Sequence, residues 1–112
     1  MLIVKRGEIY KAHLSEGIDS EQQKDRLVVI VQNNIGNICS PNVICCCLTS
    51  STNKPNLPVH LEAIVDGKKA VFLCEQLFTL SKNRLIDKVA EISSETREAL
   101  DRCLAISLGL VS

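Results

Sequence analysis

Two apolar runs of strand length dominate the middle of the chain: residues 27–31 (LVVIV) and residues 43–48 (VICCCL). Both are rich in β-branched or compact apolar side chains, which favours strands over helices. The first run closes at Gln32-Asn33-Asn34-Ile35-Gly36-Asn37, a cluster of turn formers. The second ends in Thr49-Ser50-Ser51-Thr52. Paired as antiparallel neighbours, the runs bring Thr49 to the start of the first strand, beside Arg26. An arginine and a hydroxyl then meet at one edge of a sheet, under the polar loop that carries Ser20, Glu21 and Gln22. That combination suits an anion, and a phosphate fits it well.

The flanking sequence extends the same pattern. Residues 8–14 alternate Ile9, Lys11 and His13 with Tyr10, Ala12 and Leu14, as a strand with a mixed exposed face does. Pro55 and Pro58 bracket the entry to a strand over residues 59–64, where a missing N–H matters least. Asp66-Gly67 is a tight hairpin signal leading to a strand over residues 70–74. Residues 79–81 and 85–92 read as short, interrupted closing strands of a barrel. Ser93 or Ser94 can cap a terminal helix, with Glu95 and Glu98 in its first turn. Leu100, Cys103, Leu104, Ser107, Leu108 and Val111 recur at helical spacing as one core-facing stripe. Ile106 and Leu110 lie outside it, so the end of the helix is apolar on more than one side and predicts an oligomer contact. The expected fold class is α+β, mainly β: a small antiparallel barrel with a C-terminal helix, one domain over residues 1–112.

Composition narrows the function. Thirteen basic residues balance 13 acidic ones, which argues against a general nucleic-acid coat held by phosphate attraction. Aromatics make up 3% of the chain, so base stacking on aromatic platforms is not its main binding mode. Both facts leave room for an enzyme that reads a few nucleotides in a small groove. The start MLIVKRGEIY lacks the continuous apolar stretch of a signal peptide, and no run reaches membrane-helix length. The six cysteines therefore read as small buried hydrophobes in a reducing cytoplasm. Cys45 and Cys47 share a strand face, neither spacing suits a zinc knuckle, and no metal site or cofactor is expected. His13 and His60 sit in alternating strands and read as structural.

The chain resembles the MazF/PemK family of toxin endoribonucleases. The resemblance rests on IVKRGEIY (3–10), SEQ (20–22), Arg26, VQNNIGN (31–37), SPNVI (40–44), LTSS (48–51), LPVHLE (57–62) and LCEQ (73–76). TLSKNRLIDKV (79–89) and ALDRCLAISLGL (99–110) extend it, so ordered matches span nearly the whole sequence. It implies an SH3-like barrel assembled as a two-fold homodimer in the cytoplasm. It also implies a metal-independent, sequence-selective endoribonuclease acting on single-stranded mRNA, which leaves a 2′,3′-cyclic phosphate and a 5′-hydroxyl. Arg26 and Thr49 match the catalytic positions. Ser20, Glu21, Gln22, Asn33, Ser50, Ser51 and Gln76 match positions near the RNA groove. The implied partner is an antitoxin with an acidic, disordered tail that folds along the same groove.

Two departures stand out. Where the family usually places Gly-Gly and a hydrophobic residue ahead of Arg-Pro, this chain has Gln23-Lys24-Asp25-Arg26-Leu27. That removes backbone freedom from the loop and sets a carboxylate beside the cation. Where relatives carry Gln-Ile-Arg-Thr, it has Gln76-Leu77-Phe78-Thr79, so a second cation is lost. These departures favour the alternative, a catalytically weakened homologue that binds antitoxin or RNA.

Overall fold

A computed structural model describes residues 3–14, 24–50 and 57–112. Among these described residues six strands form the framework: β1 (Glu8–Leu14), β2 (Lys24–Ile30), β3 (Asn42–Thr49), β4 (His60–Val65), β5 (Lys68–Ser81) and β6 (Leu85–Glu91). A short helix α1 (Asn34–Cys39) joins β2 to β3, and α2 (Ser94–Ser107) closes the chain. The sheet runs β4-β5-β3-β2-β1-β6, with every neighbouring pair antiparallel. Its two edges come round toward each other: Ala63, Ile64 and Val65 of β4 share a cavity of about 180 Å³ with Ala90 and Glu91 of β6. The result is a curled half-barrel with a C-terminal helix, the mainly β architecture expected from the sequence.

Alternation along the strands sorts the core into two faces. Ile9, Val29, Cys46, Leu48, Phe72 and Cys74 pack on one face, under Leu100, Cys103 and Leu104 of α2. Tyr10, Ala12, Val28, Ile30, Cys45 and Cys47 pack on the other. The three consecutive cysteines are thus divided between two cores, Cys46 on one and its neighbours on the other. Burial pushes the Cys45 thiol up to about 12, so it behaves as a small apolar group. Each fully buried leucine under α2 stabilises the fold by about 1.5–3 kcal/mol.

Three local features differ from the sequence reading. Residues 32–37 do not make a simple turn. Asn33 caps α1 by accepting from the Gly36 amide at 2.8 Å, and the buried Asn37 donates to the Gln32 carbonyl at 3.0 Å. Turn formers and N-caps share the same side-chain chemistry, so an Asn-rich cluster reads as either. Second, residues 68–81 form one continuous strand, not two short ones. Its pairing with β3 slips between Cys46↔Leu77 and Leu48↔Phe72; within the slip Leu73 and Cys74 stay buried, while Glu75 and Gln76 are exposed. That polar pair broke the apolar pattern. Third, α2 ends at Ser107, whose hydroxyl donates to the Cys74 carbonyl at 2.8 Å. The stripe therefore stops there, leaving Leu108, Leu110 and Val111 exposed.

The Ser93 hydroxyl caps α2 by accepting from the Thr96 amide at 3.1 Å. Asp66 (φ 53°) and Gly67 (φ 80°) make the β4–β5 turn with two positive φ angles, as a tight hairpin needs. Among the described residues no helix is long and apolar enough to cross a membrane.

Candidate functional site

β2 and β3 pair through Val28↔Cys47, Val29↔Cys46 and Ile30↔Cys45. Two residues further along, the same register sets Arg26 alongside Thr49. The Arg26 Nη2 group donates to the Leu48 carbonyl at 3.4 Å, a long bond that ties the guanidinium to the end of β3. Burial pushes the Cys47 thiol up, against the pull of this nearby guanidinium. β5 and β4 continue the row through Thr49↔Val71 and Val71↔Glu62. Directly paired strand residues point to one face, so Arg26, Thr49 and Glu62 share a side of the sheet. Arg26 and Thr49 are each half-buried, while Ser50, Glu62 and Asp25 are exposed.

Asp25 is next to Arg26 in sequence but points to the opposite face. There its Oδ1 lies 3.0 Å from the Nδ1 of His13 on β1, and Arg84 caps the His13 carbonyl. The carboxylate that follows the loop and precedes Arg26 in sequence is thus held by a histidine on the other side. His60 also sits against a carboxylate, with Nε2 3.0 Å from Glu75 Oε2 and its side chain 7% exposed. Among the described residues, no three His, Cys, Asp or Glu side chains converge as a metal site would require.

A cavity of about 310 Å³ opens where β3 ends. Leu27, Leu48, Val65, Ala70 and Val89 form its apolar walls. Thr49, Ser50, Asp66, Lys68 and Lys69 form a polar rim. Arg26 is not part of this lining: Leu27, Leu48 and Ala70 alternate with Arg26, Thr49 and Val71 along their strands and so face the other side of the sheet, and Thr49 borders the cavity at the end of β3. Lys68, Lys69 and Asp66 are the groups that sequence reading missed. The Asp66-Gly67 hairpin was legible, but the pairing of β5 with β3 was not, because β4 lies between them in sequence.

The other sequence-derived candidates are distributed as follows. Asn33 lies beyond the far end of β2 from Arg26, where its side chain caps α1. Gln76 is exposed on the β5 bulge, beyond the Thr49↔Val71 pair on the far side of the register slip. Phe78, in place of the family arginine, packs against the Tyr10–Cys45 core face. Ser20, Glu21, Gln22 and Ser51 lie outside the described residues.

Comparison with known proteins adds to this geometry. Residues 5–108 match the family model described as PemK-like, MazF-like toxin of type II toxin-antitoxin system. The chain is 40% identical over 116 residues to Endoribonuclease EndoA of Bacillus subtilis (strain 168), covering 98% of each protein. Two solved structures share the fold. One is an endoribonuclease in complex with its cognate antitoxin from a mycobacterial species, at TM-score 0.81 and 24% identity, covering 97% of this chain and 98% of that one. The other is MazF from Deinococcus radiodurans, at TM-score 0.79 and 17% identity, covering 97% and 99%.

Proposed function

The chain belongs to the PemK-like, MazF-like toxins of type II toxin–antitoxin systems, and we propose that it is a sequence-selective endoribonuclease cutting single-stranded mRNA in the cytoplasm. The whole chain, residues 1–112, acts as one toxin domain. The observation that carries the reading is the Arg26–Thr49 pair at the end of the β2–β3 ladder. The relative's name, Endoribonuclease EndoA, agrees with it.

RNA supplies its own nucleophile. The 2′-oxygen attacks the adjacent phosphorus and loses its proton to water. The P–O5′ bond breaks and the departing 5′-oxygen takes up a proton, leaving a 2′,3′-cyclic phosphate and a 5′-hydroxyl. The protein aligns this attack and stabilises charge on the phosphorane. The Arg26 guanidinium serves as an electrostatic clamp on the nonbridging oxygens. The Thr49 hydroxyl donates to one of those oxygens. Ser20, Glu21, Gln22, Ser50 and Ser51 contact the flanking nucleotides, and no metal ion takes part.

The active form is a homodimer. Ile44, Leu77, Leu104, Ala105, Leu108 and Leu110 line an apolar groove of about 390 Å³, rimmed by the Arg6–Asp101 ion pair at 2.8 Å. Such a surface is suited to a second copy. The partner is an antitoxin, in keeping with the mycobacterial endoribonuclease solved in complex with its cognate antitoxin, and an acidic tail of that antitoxin folds along the RNA groove.

Incubating the purified protein with a long single-stranded RNA in EDTA, then mapping the new ends, tests the reading. Cyclic phosphate and 5′-hydroxyl ends are expected. No cleavage, or cleavage only after a divalent metal is restored, contradicts it. Intact RNA together with tight binding of an acidic antitoxin tail would make the protein a weakened, antitoxin-titrating homologue.

A further inference from the structure

We propose that the cavity at the end of β3 is a nucleobase pocket that receives the base next to the scissile phosphate and prefers a base bearing an exocyclic amine over uracil. The proposal rests on the endoribonuclease reading for its ligand, and on the cavity itself for its chemistry. Thr49 and Ser50 lie on the cavity rim at the end of β3, and Thr49 is also in register with Arg26. A nucleotide whose phosphate is held at Thr49 passes round this strand end to bring its base to the cavity mouth.

Volume and lining both suit one flat ring. About 310 Å³ lies at the lower end of the roughly 300–1,000 Å³ typical of small-ligand sites. Leu27 and Val89, both only partly buried, offer aliphatic surfaces for the ring faces. Among the described residues no aromatic side chain lines the cavity, so the base is sandwiched by aliphatic groups and is not stacked. Unstacked bases splayed from a single strand are the usual objects of such reading.

Selectivity comes from the rim. Asp66 is exposed and held by the tight turn at the mouth, and its carboxylate accepts hydrogen bonds only. Adenine, cytosine and guanine each present an amine to such an acceptor. In uracil the single edge N–H is flanked by two carbonyl oxygens that repel a carboxylate. Lys68 and Lys69 are exposed and carry no ion pair among the described residues. Lys69 stands two residues from Val71, the partner of Thr49, on the same side of the sheet as Arg26. It holds the neighbouring phosphate and supplies the cation that Phe78 does not. Lys68, one residue along, points into the cavity side.

The test uses two probes. Adenosine and uridine 5′-monophosphates are titrated into ¹⁵N-labelled protein up to about 10 mM, a range that reaches weak single-nucleotide affinities. Saturable amide shifts centred on Thr49, Ser50, Asp66 and Lys69 are expected, with adenosine monophosphate binding about tenfold tighter, the scale of one base-edge contact. Asp66→Asn should bring the two affinities close together, and the cavity-filling Ala70→Leu should abolish the shifts. In parallel, the ends made from a long RNA by wild type and Asp66→Asn are sequenced. Uracil should be absent at one position beside the cut for wild type and admitted by the variant. Absence of shifts at these amides, or equal binding of both nucleotides by wild type, overturns the pocket. So does an unchanged cleavage word in Asp66→Asn. Wild type that cuts no RNA but shows the adenosine-selective shifts defeats the nuclease reading and leaves the pocket standing.

Discussion

Arg26 reaches across from β2 to the Leu48 carbonyl, 3.4 Å away, one residue short of Thr49. This is the only hydrogen bond its guanidinium makes among the described residues. The remaining N–H groups are available to an anion, while the backbone contact limits how far the side chain can swing. Preorganisation of this kind is what electrostatic catalysis requires, because no reorganisation remains to be made as charge develops.

Glu8 should make stability pH-dependent on the acid side. Its carboxylate is 5% exposed; burial alone would raise its pKa, but the Lys5 amide, Lys88 and Tyr10 more than offset this and hold it below the usual carboxylate value of 4.5. A depressed folded pKa means the stabilisation is fully present above 4.5 and fades as pH falls through the folded value. Glu8→Gln should lower stability at pH 7 by about 1–3 kcal/mol, the scale of a disrupted buried hydrogen-bonded charge. Thermal melts of both proteins from pH 7 to pH 3 should converge toward acid. Parallel curves would remove Glu8 from the account.

Tyr10 acts at the other end of the scale. Burial and the Glu8 carboxylate push its hydroxyl up to about 12. A raised folded pKa favours folding while the group is neutral, so stability should be intact below pH 10 and decline as pH rises toward 12. Tyr10→Phe should flatten that alkaline decline in the same melts, and an unchanged decline would assign it to another group.

Asn33 separates a capping role from an RNA contact. Asn33→Ala should destabilise the protein by about 0.5–2 kcal/mol through loss of the α1 cap, and Asn33→Ser should restore most of it. Cleavage measured well below the melting temperature should differ little among the three proteins. A large loss of cleavage in Asn33→Ser, with stability kept, would make Asn33 a substrate contact.

Assembly can be read directly. The exposed Leu108 and Leu110 beside the Ile44 groove predict a homodimer at micromolar concentration. Leu110→Asp should shift it toward monomer in sedimentation. A wild-type protein that sediments only as the 12.3 kDa species would contradict the dimer.

Much of this architecture was legible in the sequence because the relevant signals are local. The 8–14 strand, the Asp66-Gly67 turn and the Ser93 cap each follow from a few adjacent residues. The pairing of the two central runs followed from their length and the residues at their ends. What escaped was non-local or ambiguous. The Glu75-Gln76 bulge hid the continuity of β5, and a cluster of asparagines could equally turn the chain or cap α1. Lys68, Lys69 and Asp66 reach the end of β3 only through a strand pairing that skips an element, so no spacing rule could place them there. The positions 20–22 and 51 rest on the family resemblance alone.

Arg26→Ala tests the central claim most directly. Wild type and variant are compared on one RNA containing a mapped cleavage site, in EDTA at fixed salt, with circular dichroism confirming that both are folded. The account predicts an unchanged fold and a loss of cleavage of at least about a hundredfold, the scale of removing one transition-state charge stabiliser. Cleavage by the folded variant at a near-wild-type rate would contradict it.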